Sequence, residues 1–456
     1  MKRSVSFYAL VLMVFVAAFM GENLKKWRDN KIIENDVISY YAYLPATFIY
    51  RDLTFEFTKN PPLDFEVKIW THQANNGAQT LKMTMGLSVL WVPFFMLAHG
   101  FAHLAGFTPN GYSTPYSIAV LAAAILYLFI GLWFLRKILL SYFGEWPTAI
   151  TLVAIVLGTN LLHYVVAEPG MSHVYSFALF NLFLFLCQNW MQKPTYRTAV
   201  LAGLIAGLLA LIRPSNGIVV MIPVLLLVFN QKTFNVKNIG SQKLLTMAVL
   251  AGFLFFLMLM PQLVYWKLIT GHWLYYSYNN EGFFFSNPQI INGLFSYRKG
   301  WLVYNPVMVF ALLGFAFVKK EMTPLRNSLT IFLVVFIYIV FSWWCWWYGG
   351  SYGARPMIDV YGIMAIGLAA FIYKIAQTPL WSKCGMAICF ALLIYLNIFQ
   401  MGQYQTSLLH WDSMTEQVYW EIFFKKQWPT DYAEKIKTPD YEKAIRGEKE
   451  DLYLFP

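Results

Sequence analysis

Charge is scarce in this chain. Lys, Arg, Asp and Glu make up only 12% of its 456 residues, whereas 58% are hydrophobic and 19% aromatic. A soluble domain carries about twice that charged share, so the soluble globular class is excluded. Cysteine is scarce too. The four, Cys187, Cys345, Cys384 and Cys389, all fall in apolar segments with no paired spacing, which excludes a disulfide framework and a zinc motif. No internal repeat of the kind that marks many transporters is present. The formal net charge is +11, but the basic residues lie between apolar runs. They serve as topology signals and do not form a nucleic-acid-binding patch, so no nucleic acid partner is expected.

What the chain does have is a series of long apolar runs separated by short polar stretches. These runs are too long and continuous for barrel strands, so they predict an all-α integral membrane bundle. The first run, Val5–Met20, follows Met1-Lys2-Arg3 and reads as a span with a cytoplasmic N-terminus. The other reading is a cleaved signal peptide, but no clean cleavage site follows. Residues 21–114 form a first outer loop. Within it Met83–Gly106 has the length of a span but carries His99 and His103 on one face, and is read as a helix lying on the surface. Tyr116–Leu135 then ends inside at Arg136-Lys137. Continuing from there gives about eleven spans with the basic loops inside. They are Pro147–His163, Val174–Met191, Ala199–Ile212, Gly217–Phe229, Leu244–Trp266, Tyr304–Val318, Ser328–Cys345, Met357–Tyr373 and Gly385–Met401, together with the first two. Residues 1–401 form the membrane domain, and 402–456 an outer extension that packs on the outer loops.

With this topology the unusual polar residues gather outside. The first loop holds Glu34 and Asp36, followed by Tyr40 and Tyr41. The second holds Glu168 and His173. Arg213-Pro214 breaks a pair of spans. Arg298 and Lys299 lie in the fourth outer loop. The fifth runs from Trp347 through a glycine-rich stretch to Arg355. Charges near spans are costly, about 2.5–3.5 kcal/mol at a helix centre, and usually line a cavity. Asp359 sits just inside a span and receives no role.

This order of motifs resembles the GT-C-fold glycosyltransferases, the dolichyl- or polyprenyl-phosphate-sugar-dependent membrane enzymes that include mannosyltransferase- and aminoarabinose-transferase-like members. The resemblance covers roughly residues 1–375. Asp36 matches the acidic position in the first outer loop, with Glu34 beside it, and Glu168 matches the acid of the next loop. Met83–Gly106 is similar to the family's surface helix, Leu211-Ile212-Arg213-Pro214 to its basic-Pro break, and the stretch ending in Arg355 to its Gly-x-Arg. A paired Asp-Asp or Asp-Glu in the first loop is missing.

The resemblance implies a transferase that moves a sugar from a polyprenyl-phosphate-linked donor to a glycan, lipid or protein acceptor. The place expected is the outer face of a membrane, the bacterial inner membrane in particular. A carboxylate base accelerates such transfer typically 10²–10⁴-fold, and arginine forks hold phosphate. Asp36 is then the base or a ligand of a divalent ion (Mg, Mn or Zn). Glu168 and His173 orient the acceptor or complete the metal site. Arg213, Arg298, Lys299 and Arg355 are candidates for the phosphate, and Tyr40, Tyr41 and Trp347 for stacking on sugars. Each has a plainer reading. Glu168 can cap a helix, the arginines can snorkel to headgroups, and Trp343–Tyr348 can be an interfacial belt. The competing function is a polytopic transporter or lipid-linked glycan flippase, which would more naturally place its charges at mid-membrane.

Overall fold

The structure is a computed structural model that describes residues 4–29, 31–59, 69–229 and 240–448. Lys2, Arg3, Lys232 and Lys237, four of the expected topology signals, lie outside the described residues. The described fold is helical apart from one short antiparallel hairpin, in which β1 (His72–Gln73) pairs with β2 (Gln79–Thr80). Among the described residues eight helices are long and apolar enough to cross a membrane, and four shorter apolar helices accompany them. That is compatible with an integral membrane protein.

The chain opens with α1 (Val5–Leu24), followed by two short helices, α2 (Asp36–Tyr41) and α3 (Tyr43–Phe48). After the hairpin come α4 (Gly86–Ala105) and α5 (Thr114–Leu140). The rod α6 (Glu145–Leu157) is broken at Gly158 and continues as α7 (Leu161–Val166). Then α8 (His173–Gln192) and α9 (Tyr196–Ile212) follow. A 3-10 turn at Pro214–Val220 leads into α10 (Met221–Phe229), and α11 (Ser241–Thr270) comes next. The pieces α12 (Ile290–Phe295), α13 (Trp301–Tyr304) and α14 (Val307–Gly314) precede α15 (Thr323–Phe341). A second 3-10 turn, Arg355–Val360, opens α16 (Tyr361–Ile375), and α17 (Leu380–Gln405) is the last long helix.

Side-chain contacts fix which way the rods run. The Ser6 hydroxyl donates to Glu145 (2.6 Å), and Arg136 donates to the Ser4 and Ser6 hydroxyls (2.6 and 2.7 Å). The start of α1, the end of α5 and the start of α6 therefore share one end of the bundle. The stretch from Lys25 to Ser113 leaves from the opposite end and returns to it. Helix α4 lies inside that excursion. Its Ser88 hydroxyl donates to the Tyr40 carbonyl, Trp91 meets Tyr175 in the first turn of α8 (ring centroids 5.6 Å apart), and His99 Nδ1 lies 2.6 Å from the Tyr116 hydroxyl in the first turn of α5. These contacts are all with the end turns of α5 and α8 and with α2. By composition α4 qualifies as a span, and it packs against α2, α5 and the start of α8.

Close helix approaches follow from glycine spacing. Gly203 and Gly207 in α9 face α11, where added Cβ atoms would lie 2.7 Å from Ala251 Cα and 2.9 Å from Phe255 Cα. A small-xxx-small stripe of this kind lets two apolar helices touch backbone to backbone where lipid gives no hydrophobic drive.

The segment after α17 folds back over the same end as α2 and α4. Ser351 N–H donates to the Trp411 carbonyl (3.2 Å), Arg298 Nη1 to the Asp412 carbonyl (2.9 Å), and the Tyr441 hydroxyl to Asp412 Oδ2 (2.9 Å). The extension is stitched onto the glycine-rich loop before Arg355.

Candidate functional site

A cavity of about 1250 Å³ opens at this end of the molecule, lined by α2, the 167–173 turn, Arg213, α11, the 274–283 loop and the 339–355 region. Its lining is mixed. It includes the apolar Phe255, Leu259 and Leu263 of α11, with Leu274 and Val340. It also includes Lys26, Asp36, Glu168, His173, Arg213 and Arg355.

Asp36 is the first residue of α2. Asn35 before it adopts a left-handed φ of 50°, a conformation uncommon outside glycine, and so turns the chain sharply into the helix. Arg355 follows a loop whose Tyr348, Gly349 and Gly353 also have positive φ values (58°, 62° and 62°). A Cβ on Gly353 would sit 3.2 Å from Tyr304 Cβ, so both its conformation and its surroundings favour glycine. These two backbone devices bring together residues far apart in sequence, and Arg355 Nη2 donates to Asp36 Oδ2 at 3.0 Å.

Glu168 does not cap a helix. Its Oε1 lies 3.2 Å from His163 Nε2, and His163 Nδ1 lies 3.2 Å from the Gln405 amide. Burial pushes the Glu168 carboxyl up, but the His163 hydrogen bond and charge, with Arg355 and Lys26 nearby, outweigh it and hold the group below the usual glutamate range. Burial pushes the Lys26 amine down, with Glu168 and Glu34 opposing. Burial also pushes the Tyr40 hydroxyl up.

Behind the lining residues His173 and Arg213 lies a residue to which the sequence assigned no role. Asp359 is fully buried. Its Oδ1 lies 3.0 Å from His173 Nδ1, and Arg213 Nη1 donates to its Oδ2 at 3.3 Å. The signal was an acid one helical turn beyond Arg355 in an apolar run, where an uncompensated charge is costly. A second unassigned pair, Lys82 with Glu281, also lines the cavity, and Trp344 Nε1 donates to Glu281 at 3.0 Å.

Of the residues singled out from sequence, Glu34, Asp36, Tyr40, Glu168, His173, Arg213 and Arg355 line this cavity. Tyr41, Trp347, Arg298 and Lys299 do not. Tyr41 packs against Trp91 and Tyr112, and its hydroxyl donates to the Gly111 carbonyl (2.6 Å). Trp346 and Trp347 are buried, with Ala444 of the extension in their cluster, rather than set in an exposed belt. The Arg298 guanidinium lies 5.6 Å from the Trp347 ring centre, and Lys299 Nζ donates to the Ser351 carbonyl. These two cations tie the extension and the glycine-rich loop together from behind the cavity wall. Burial pushes the Lys299 amine down to about 7, with Asp412 and Glu168 opposing.

Among the described residues no three or more His, Cys, Asp or Glu side chains gather as a metal site. The expected ligands Asp36, Glu168 and His173 each face a different partner in this structure, Arg355, His163 and Asp359. No protein-family model matches the chain, and no curated protein matches it in sequence.

Proposed function

We propose that the protein is a membrane glycosyltransferase of the GT-C kind, moving a sugar from a polyprenyl-phosphate donor to an acceptor at the outer face. The observation that carries this reading is a single cavity lined both by the Asp36–Arg355 pair and by apolar side chains of α11. A lipid-linked sugar phosphate has that same polarity: a long apolar tail, one anion and a hydroxylated ring. The volume, about 1250 Å³, exceeds the usual range of roughly 300–1,000 Å³ for small-molecule sites and suits a tailed substrate.

The membrane topology belongs to the same proposal. In this reading eleven traverses cross the bundle: α1, α5, α6 with α7, α8, α9, α10 with its 3-10 turn, α11, the α13–α14 stretch, α15, α16 and α17. Helix α4 lies on the outer rim. Arg136, Lys193, Lys243, Lys319, Lys374 and Lys383 then fall at the end remote from the cavity. A cytoplasmic location for that end follows the positive-inside rule.

In the reaction, Asp36 takes the proton of an acceptor hydroxyl. The acceptor oxygen attacks the sugar C1, the C1–O bond to phosphate breaks, and the electron pair leaves on the phosphate oxygen. Arg355 donates to that phosphate, and its arrival competes for the guanidinium and frees Asp36 to act as base. No step here runs through a metal. The test is reconstitution of the purified chain in vesicles with a polyprenyl-phosphate-linked sugar. Release of free polyprenyl phosphate supports transfer, whereas donor that crosses the vesicle intact supports a flippase instead.

A further inference from the structure

The buried Asp359 joins two groups that both face the cavity. His173 is a lining residue whose Nδ1 is engaged by Asp359 and whose Nε2 has no hydrogen-bond partner among the described residues. Arg213 also lines the cavity, and Asp359 is the acceptor it reaches. The three come from three elements, the first residue of α8, the break after α9 and the 3-10 turn before α16. The other groups around the imidazole are the Tyr164 ring, 5.4 Å away between centroids, and the more distant Arg355 charge. A fully buried carboxylate between an imidazole and a guanidinium must keep both partners, because an unpaired buried charge is costly. It also sets the tautomer, since the nitrogen that faces a carboxylate carries the proton.

We propose that Asp359 is a shared positioning residue for a second subsite in the cavity. It fixes His173 with the proton on Nδ1, so that Nε2 accepts a hydrogen bond from a ligand hydroxyl. It also tethers Arg213 by one terminal nitrogen, leaving the rest of the fork for an anion. The ligand class is a phosphoryl anion with a hydroxyl beside it. The two halves are coupled. An anion on Arg213 draws the guanidinium's charge away from Asp359, and the carboxylate then binds the His173 Nδ1 proton more strongly. By reciprocity, a hydroxyl donating to Nε2 strengthens anion binding at Arg213. The link to sugar transfer rests on the function proposed above, but the subsite itself stands on geometry alone.

The experiment is nitrogen NMR of the full chain, labelled at its histidine rings, in nanodiscs of zwitterionic lipid. The chain has seven histidines, and the His173 signals are assigned by loss in His173→Gln. The probe is inorganic phosphate, with chloride at matched ionic strength as control. The expected result is a bare, acceptor-type Nε2 and a proton on Nδ1 that moves downfield as phosphate is added and not with chloride. Arg213→Gln should keep the tautomer and lose the phosphate response, and Asp359→Asn should lose both. A proton on Nε2 in the wild type overturns the proposal. So does a phosphate response that survives in Arg213→Gln, or one that chloride reproduces, which marks an adventitious ion only. If Asp359→Asn does not fold, the wild type and Arg213→Gln still decide. No turnover is measured, so a negative result here is separate from failure of the transferase reading.

Discussion

Gly170 is the point where packing and chemistry meet most closely. It is buried in the turn between Glu168 and His173 and faces Val37, the neighbour of Asp36. A Cβ at this position would overlap Val37 Cγ1 and lie 3.0 Å from Cγ2. Val37 is 5% exposed and cannot swing out. Gly170→Ala must therefore push the turn and α2 apart, and overpacking of this kind costs about 1–3 kcal/mol. Because the two sides carry Asp36 and Glu168, a shift of about 1 Å should cost on the order of 10²-fold in transfer as well. Val37→Ala removes the obstructing methyls. Alone it costs about 1–3 kcal/mol in lost burial and cavity. In the double variant the new methyl enters the space that Val37 vacates, so the costs should fall short of their sum by about 1–2 kcal/mol. The assay is apparent unfolding temperature at one scan rate in detergent for all four proteins, with transfer measured on the same samples. Wild-type unfolding in Gly170→Ala, or strictly additive losses in the double variant, would refute the close approach of the turn to α2.

Three further outcomes are expected. Glu168 is held below its unfolded value of about 4.3, so its contribution to stability is complete above that pH and is lost as pH falls through the lower folded value. Unfolding temperature should therefore fall more steeply with acid in wild type than in Glu168→Gln, and parallel curves would remove the His163 pairing. Lys299 is pushed down to about 7 against about 10.4 unfolded. The unfolded chain binds the extra proton between those values, so stability should rise with pH across that window and flatten in Lys299→Met. That variant should keep donor consumption, because its amine bonds Ser351 behind the wall, and loss of donor binding would return Lys299 to the phosphate site. Arg355→Gln should lower phosphate release on the order of 10²–10³-fold, with near-normal activity refuting its role.

Much of the site could be read from sequence because charge in an apolar chain is costly and must be explained. Asp36, Glu168, His173, Arg213 and Arg355 stood out for that reason, and all line one cavity. The same logic misplaced Arg298 and Lys299. A cation in a loop reads as solvent-facing, and nothing local announced that residues 406–448 would cover it. Trp347 was hidden for the same reason, because its cover lies in a distant segment. Hydropathy also cannot see backbone breaks. Pro147–His163 reads as one run but is interrupted at Gly158, and in Tyr304–Val318 the regular helix is only Val307–Gly314.

The central claim is that Asp36 is the base of a sugar transfer in this cavity. The most direct measurement compares Asp36→Asn with wild type in vesicles carrying a polyprenyl-phosphate-linked sugar, reading free polyprenyl phosphate. Both proteins should be incorporated equally and unfold at similar temperatures. The account predicts a fall of about 10²–10⁴-fold in release for Asp36→Asn, since the amide cannot take the acceptor proton. Release at the wild-type rate would contradict it.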